Sequence, residues 1–152
     1  MLKEKLEEDL KSALRAGEKL KVSVLRMLLS SIINQEIEVL KKETGLTDEE
    51  ILAVLARELK KRKDAAHEFQ KGGRQDLAEK EEKEAEMISA YLPQEISDED
   101  LQRVVQDSFR QTGARGMSDF GKVMKSAMTV LKGRASGDRV SEAVKRALKE
   151  NA

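Results

Sequence analysis

Apolar residues recur at three- and four-residue spacing along most of the chain, the periodicity of helices that each bury one face. Leu2, Leu6, Leu10, Ala13 and Leu14 open the pattern, and Gly17 follows. A second run spans about residues 19–42 and carries Val22, Leu25, Leu28, Leu29, Ile32, Ile33, Ile37 and Leu40. Its apolar face is the broadest in the chain, so it is expected at the centre of the packing, with Gly45 ending it. Thr47-Asp48-Glu49-Glu50 reads as a capping box, in which the Thr47 hydroxyl accepts from the Glu50 amide and the Glu50 carboxylate reaches back. The helix it starts runs over about 48–71 with Ile51, Leu55, Leu59, Ala66 and Phe69, and Gly72-Gly73 breaks it. A fourth run over about 74–92 holds Leu77, Ala85, Ile88 and Leu92, and Pro93 stops it because the residue before proline avoids helical backbone.

Three shorter helices are predicted beyond Pro93. Ser97 caps the first, which holds Leu101, Val104, Val105 and Phe109 and ends at Gly113. Ser118 is expected to cap the second, with Phe120, Val123, Met124, Ala127, Met128 and Leu131 as a core stripe. Gly133 and Gly137 flank a loop, and Val140, Val144, Ala147 and Leu148 mark the last helix. The prediction is all-α. Residues 1–93 form a four-helix bundle with a long helical hairpin, and residues 94–152 form a small three-helix domain.

Composition narrows the function classes. Cysteine is absent, which removes thiol nucleophiles, disulfides and thiolate metal sites. No stretch approaches about 18 continuous apolar residues, so no membrane span is expected. The N-terminal stretch alternates charge with leucine and carries no apolar signal region, so a soluble, cytoplasmic protein is expected. Net charge is zero, but its distribution is uneven. Within residues 110–149 there are 10 Lys and Arg against 3 Asp and Glu.

Several local patterns invite a chemical reading. Arg57, Lys60, Lys61, Arg62 and Lys63 look like a phosphate-binding stripe. A reversal at Gly72-Gly73 sets residue 60 beside 85 and residue 63 beside 82, against the acidic run Glu79 to Glu86, so a structural pairing is expected and nucleic-acid contact is the alternative. Gly116 to Val123 falls short of a nucleotide loop, since Val123 stands where a hydroxyl must meet magnesium and no strand precedes it. His67 sits on a polar face and has no partner for metal or nucleophile chemistry. Arg26 interrupts the most apolar helix and should reach a carboxylate or the surface. No catalytic group, metal site or cofactor is expected. The strongest signal is a row of cations, Lys122, Lys125, Lys132, Arg134, Arg139, Lys145 and Arg146, crossing a glycine loop. No aromatic is interleaved for base stacking, so the pattern suits an RNA backbone, with an ordinary solvated basic face as the alternative.

Phe120-Gly121-Lys122-Val123-Met124, then Leu131-Lys132-Gly133-Arg134-Ala135 and the closing amphipathic helix, resemble the C-terminal tail of GatB, the B subunit of the glutamine-dependent aspartyl/glutamyl-tRNA amidotransferase. With Val24-Leu25-Arg26-Met27-Leu28, Gly73-Arg74-Gln75-Asp76-Leu77 and Tyr91-Leu92-Pro93, nearly the whole chain resembles the stand-alone YqeY family, which joins that tail domain to an N-terminal helical bundle. The resemblance implies a tail that contacts tRNA or another structured RNA, while amidotransferase chemistry resides in portions that this chain lacks. The contacts it carries over are Lys122, Lys125, Lys132, Gly133 and Arg134. Arg139, Lys145 and Arg146 join them on charge alone. An amidotransferase or an aminoacyl-tRNA synthetase is the protein partner it suggests. Two alternatives stand beside RNA binding: a protein–protein adaptor acting through the N-terminal bundle, and an accessory subunit of a carbon–nitrogen ligase with glutamine as amido-nitrogen donor.

Overall fold

A computed structural model of the protein describes residues 1–151, and no strand occurs among them. Seven helices follow in order: α1 (Leu2–Ala16), α2 (Lys19–Glu38), α3 (Asp48–Lys71), α4 (Gln75–Ser89), α5 (Asp98–Thr112), α6 (Phe120–Leu131) and α7 (Gly137–Glu150). A 3₁₀ turn over Met117–Asp119 leads into α6. The all-α expectation holds. The chain divides into two compact units, Met1–Leu92 and Pro93–Ala152.

In the first unit, α1 to α4 close over Leu6, Leu25, Leu28, Ile32, Ile51, Leu55 and Ile88. α1 ends where Gly17 takes the left-handed conformation at φ 70°, which a glycine adopts without a Cβ clash. The capping box is present in full: Glu50 N donates to Thr47 Oγ1 at 3.2 Å, and Thr47 N donates to Glu50 Oε2 at 2.8 Å. At the end of α4 the Tyr91 hydroxyl donates to Asp9 Oδ2 at 2.5 Å, tying that turn to α1. Burial and the facing carboxylate push the Tyr91 phenol well above its ordinary range.

One boundary differs from expectation. α2 ends at Glu38, not near residue 42, and Gly45 does not end it. Leu40 itself takes the left-handed conformation at φ 58°, so that Lys41 N reaches back to Glu36 O at 2.7 Å. A glycine is the usual occupant of such a position, which is why the sequence pointed further on. Leu40 is therefore 92% exposed, and Ile33 and Ile37 also face outward, off the core face to which the sequence assigned them.

α3 and α4 form the hairpin reversed at Gly72-Gly73. Arg62 fixes its register, with Nε 3.4 Å from Glu84 Oε2 and Nη1 3.8 Å from Glu81 Oε2. That is within one turn of the expected pairing. The rest of the basic run is dispersed. Arg57 donates to Gln35 of α2 at 2.9 Å, and Lys61 pairs with Glu58 one turn earlier at 3.2 Å. Beyond Arg62 the buried positions are Ala66 and Ala78, neither of which joins the main core. The far part of the hairpin is thus a two-helix arm closed by an alanine seam. Arg26 is exposed, as is His67.

In the second unit α5, α6 and α7 pack in three mutual pairs around Leu101, Val105, Val123, Leu131, Val140, Val144 and Leu148. Ser97 caps α5 by accepting from Asp100 N at 3.2 Å, and Gly113 ends it at φ 66°. Ser118 does not cap α6: Asp119 is the N-cap residue and Ser118 lies inside the 3₁₀ turn. A cap that the sequence reading passed over starts α7, where Ser136 Oγ accepts from Arg139 N at 3.2 Å.

Candidate nucleic-acid interface

α6 presents two opposed faces because its apolar and basic residues alternate at helical spacing. Val123, Ala127 and Leu131 are buried, with Phe120 and Met124 half-buried beside them. Met128, expected in that stripe, is more than a third exposed. Lys122, Lys125 and Thr129 lie on the opposite side, separated by three and four residues, and Lys132 continues the line at the helix end. Thr129 turns its hydroxyl to the Lys125 carbonyl at 2.8 Å, leaving the strip basic.

The strip ends in two successive left-handed residues, Lys132 at φ 47° and Gly133 at φ 82°. An added Cβ at Gly133 meets nothing within 4 Å, so glycine serves the backbone turn there and not a tight internal contact. This double reversal carries Arg134 back across the unit. Its carbonyl accepts from Ile96 N at 2.9 Å, and its Nε donates to Gln94 O at 3.2 Å. The exposed turn at Lys132–Gly133 is held in place by that strand-like contact to residues 94–96.

The remaining candidates lie elsewhere. Arg139 is turned inward along the unit: its guanidinium donates to Asp98 Oδ1 at 2.7 Å and to Ile96 O at 3.0 Å, and lies 4.0 Å from Glu95 Oε2. Asp98 starts α5 and Arg139 lies in the first turn of α7, so these two helices run parallel. Arg146 is exposed along the groove between them, with Gln102, Gln106 and Glu142. Lys145 lies 6.0 Å from the centre of the Phe120 ring, a cation–π arrangement at the start of α6. In a unit of three mutually packed helices, the outer face of α6 and the α5–α7 groove look in opposite directions. The structure therefore brings Lys122, Lys125, Lys132 and Gly133 together and leaves Arg139 and Arg146 on the other side.

Arg115 was not singled out in the sequence. Asp119 Oδ2 accepts from the Arg115 amide at 2.9 Å, and Asp119 Oδ1 lies 3.9 Å from Lys122 Nζ, so one carboxylate holds Arg115 beside the basic strip. Only its place in the cation-rich segment signalled it. Among the described residues, no group of three or more His, Asp or Glu side chains is arranged to hold a metal ion, and no helix is long and apolar enough to cross a membrane.

Comparison with known proteins places these features among relatives. A family model described as Yqey-like protein matches residues 3–148. The protein named "Altered inheritance of mitochondria protein 41, mitochondrial" of Vanderwaltozyma polyspora is 34% identical over 132 residues, covering 82% of this chain and 70% of that protein. Its namesake in Candida glabrata is 35% identical over 132 residues, covering 82% and 71%. That of Clavispora lusitaniae is 40% identical over 87 residues, covering 57% and 49%, so there the match spans about half the relative's length. These names correct the cytoplasmic expectation, since the relatives are named as mitochondrial proteins. The alternation of charge and leucine near the N-terminus reports a helix that buries one face, α1, and does not separate one compartment from another.

Proposed function

The chain belongs to the YqeY family, and on that premise we propose that it is a non-catalytic module that binds tRNA or another structured RNA through its second unit. The observation that carries this reading is the lysine strip on α6, turned away from the core and ending in the left-handed turn at Lys132–Gly133. Phosphates accept from such a strip without any base being read. A-form RNA presents its backbone across a broad, shallow groove, which suits exposed lysines on one helix face. The likeness to the GatB tail in Lys132-Gly133-Arg134 supports the same surface. In this reading Lys122, Lys125 and Lys132 contact phosphate, with Arg115 and Arg134 beside them, and Lys145 flanks the start of the helix.

The test is a titration of tRNA, and of an unrelated structured RNA, against the full chain at several salt concentrations. Affinity falls steeply as salt rises, because each phosphate contact releases counterions. Lys125→Ala and Lys132→Ala each weaken binding and lower the salt slope by about one. Arg146→Ala, on the opposite side, leaves the slope unchanged. Binding no stronger than that of a neutral helical protein, or a slope lowered by Arg146→Ala and not by the α6 lysines, overturns the reading. Gly133→Val is a poor probe, since any L-residue at φ 82° strains the turn.

A further inference from the structure

The outward line of α6 is not uniformly basic. Lys122 and Lys125 lie one turn apart, but residues 126–131 carry no charge before Lys132. At 1.5 Å per residue, the gap between Lys125 and Lys132 is about 10 Å along the helix axis. Thr129 stands in that gap, exposed, four residues after one lysine and three before the other. Met128 and Val130, on either side of it, are also open to solvent. The strip therefore has cations at both ends and, between them, a hydroxyl flanked by apolar side chains.

The Thr129 hydroxyl has already committed its hydrogen. It donates to the Lys125 carbonyl at 2.8 Å, and the stiffness of the branched side chain holds Oγ1 there. A hydroxyl has one hydrogen to donate and two lone pairs that accept. What Thr129 offers to solvent is therefore an acceptor. A phosphodiester has only acceptor oxygens, so it suits the lysines and not Thr129. The group that suits Thr129 is a neutral donor close to phosphates. The ribose 2′-hydroxyl is such a group, since its carbon adjoins the one that carries the 3′-phosphate. A base N–H lies deeper, behind the sugars, beyond the reach of a short side chain.

We propose that Thr129 accepts a hydrogen bond from a ribose 2′-hydroxyl of an RNA whose phosphates lie on Lys125 and Lys132, so that this strip distinguishes RNA from DNA. The inference rests on the RNA-binding reading above and names the specificity residue within it. An A-form helix displays its 2′-hydroxyls along the wide, shallow groove that an exposed helix face can approach. The lysines hold the strand on either side, and the uncharged gap between them receives the sugars. Met128 and Val130 pack on the C–H edges of those sugars. A deoxyribose sets a C–H against Oγ1 and leaves that acceptor covered and unpaired, which disfavours it.

The test titrates the full chain with a structured RNA hairpin and with the same hairpin carrying 2′-fluoro in place of every 2′-hydroxyl. Fluorine keeps the A-form and removes the donor. The wild type binds the hydroxyl form at least about fivefold more tightly, the size of one net hydrogen bond. Thr129→Val keeps the branched shape without the hydroxyl. It lowers affinity for the hydroxyl form by about fivefold, leaves the fluoro form unchanged, and does not alter the salt slope, because no charge is removed. Thr129→Ser keeps the hydroxyl and keeps the preference. Circular dichroism confirms that each variant is folded. Equal binding of the two hairpins by the wild type overturns the proposal, as does a preference that survives Thr129→Val in full, or a Thr129→Val loss that is the same for both hairpins. In those three cases binding that still depends on Lys125 and Lys132 leaves the RNA reading intact. No binding of either hairpin by the wild type overturns the RNA reading and this inference with it.

Discussion

Arg139 and Asp98 join the first turns of two parallel helices, with Nη2 2.7 Å from Oδ1 and a second donated bond to the Ile96 carbonyl. Removing the guanidinium leaves the segment before α5 held by the backbone contact between Ile96 and Arg134. Arg139→Ala is expected to destabilise the second unit by about 1 kcal/mol, a modest figure because Asp98 is solvent-exposed and its pair is screened. Denaturant unfolding followed by far-ultraviolet circular dichroism checks it.

Arg62 sits among three carboxylates, Glu58, Glu81 and Glu84, and is itself largely buried. Arg62→Met removes the cation shared by those acids, although Glu58 keeps its pair with Lys61. A loss of about 2–3 kcal/mol is expected, larger than for an exposed pair because the group that remains is partly desolvated. Lys63→Ala, one residue on and exposed, changes stability by less than about 0.5 kcal/mol. Equal effects of the two would show that Arg62 does not set the hairpin register.

Leu40 holds a left-handed backbone that an L-side chain disfavours. Leu40→Gly is expected to raise stability by about 1 kcal/mol, measured by denaturant unfolding. A decrease would mean that the exposed side chain packs on its own unit.

The capping box makes part of the stability depend on pH. Glu50 is held below its ordinary value by its hydrogen bonds to Lys41 and to the Thr47 amide. A carboxyl depressed in the folded state contributes stability that is present above its unfolded value and is lost as pH falls through the folded one. Unfolding of the wild type thus becomes easier below the ordinary carboxylate range, and Glu50→Gln shows a shallower acid limb. Thr47→Ala lowers stability by about 1 kcal/mol at neutral pH.

Most of the helices were legible because local chemistry determines them. Thr47, Ser97, Gly17 and Gly113 act within four residues of their own positions, and spacing alone exposes them. Leu40 was not legible, since a helix stop normally announces itself with glycine. The basic row was legible as charge but not as a surface. What separates Lys125 from Arg139 is a contact to Asp98, 41 residues away in sequence, and no periodicity encodes that distance. Ile33 and Ile37 were assigned to the core because they are apolar on the most apolar helix. Their outward placement follows from which side of α2 its neighbours occupy.

The alanine seam of the α3–α4 arm bears on how the family can change length. Ala66 and Ala78 are buried in the arm outside the main core, and Gly72-Gly73 closes it. Seven residues added before the glycines and seven after them would extend the arm by about 10 Å while keeping the small residues in register. No core side chain would move. The tip is thus a place where matched insertions or deletions leave the packing of the bundle beneath it untouched.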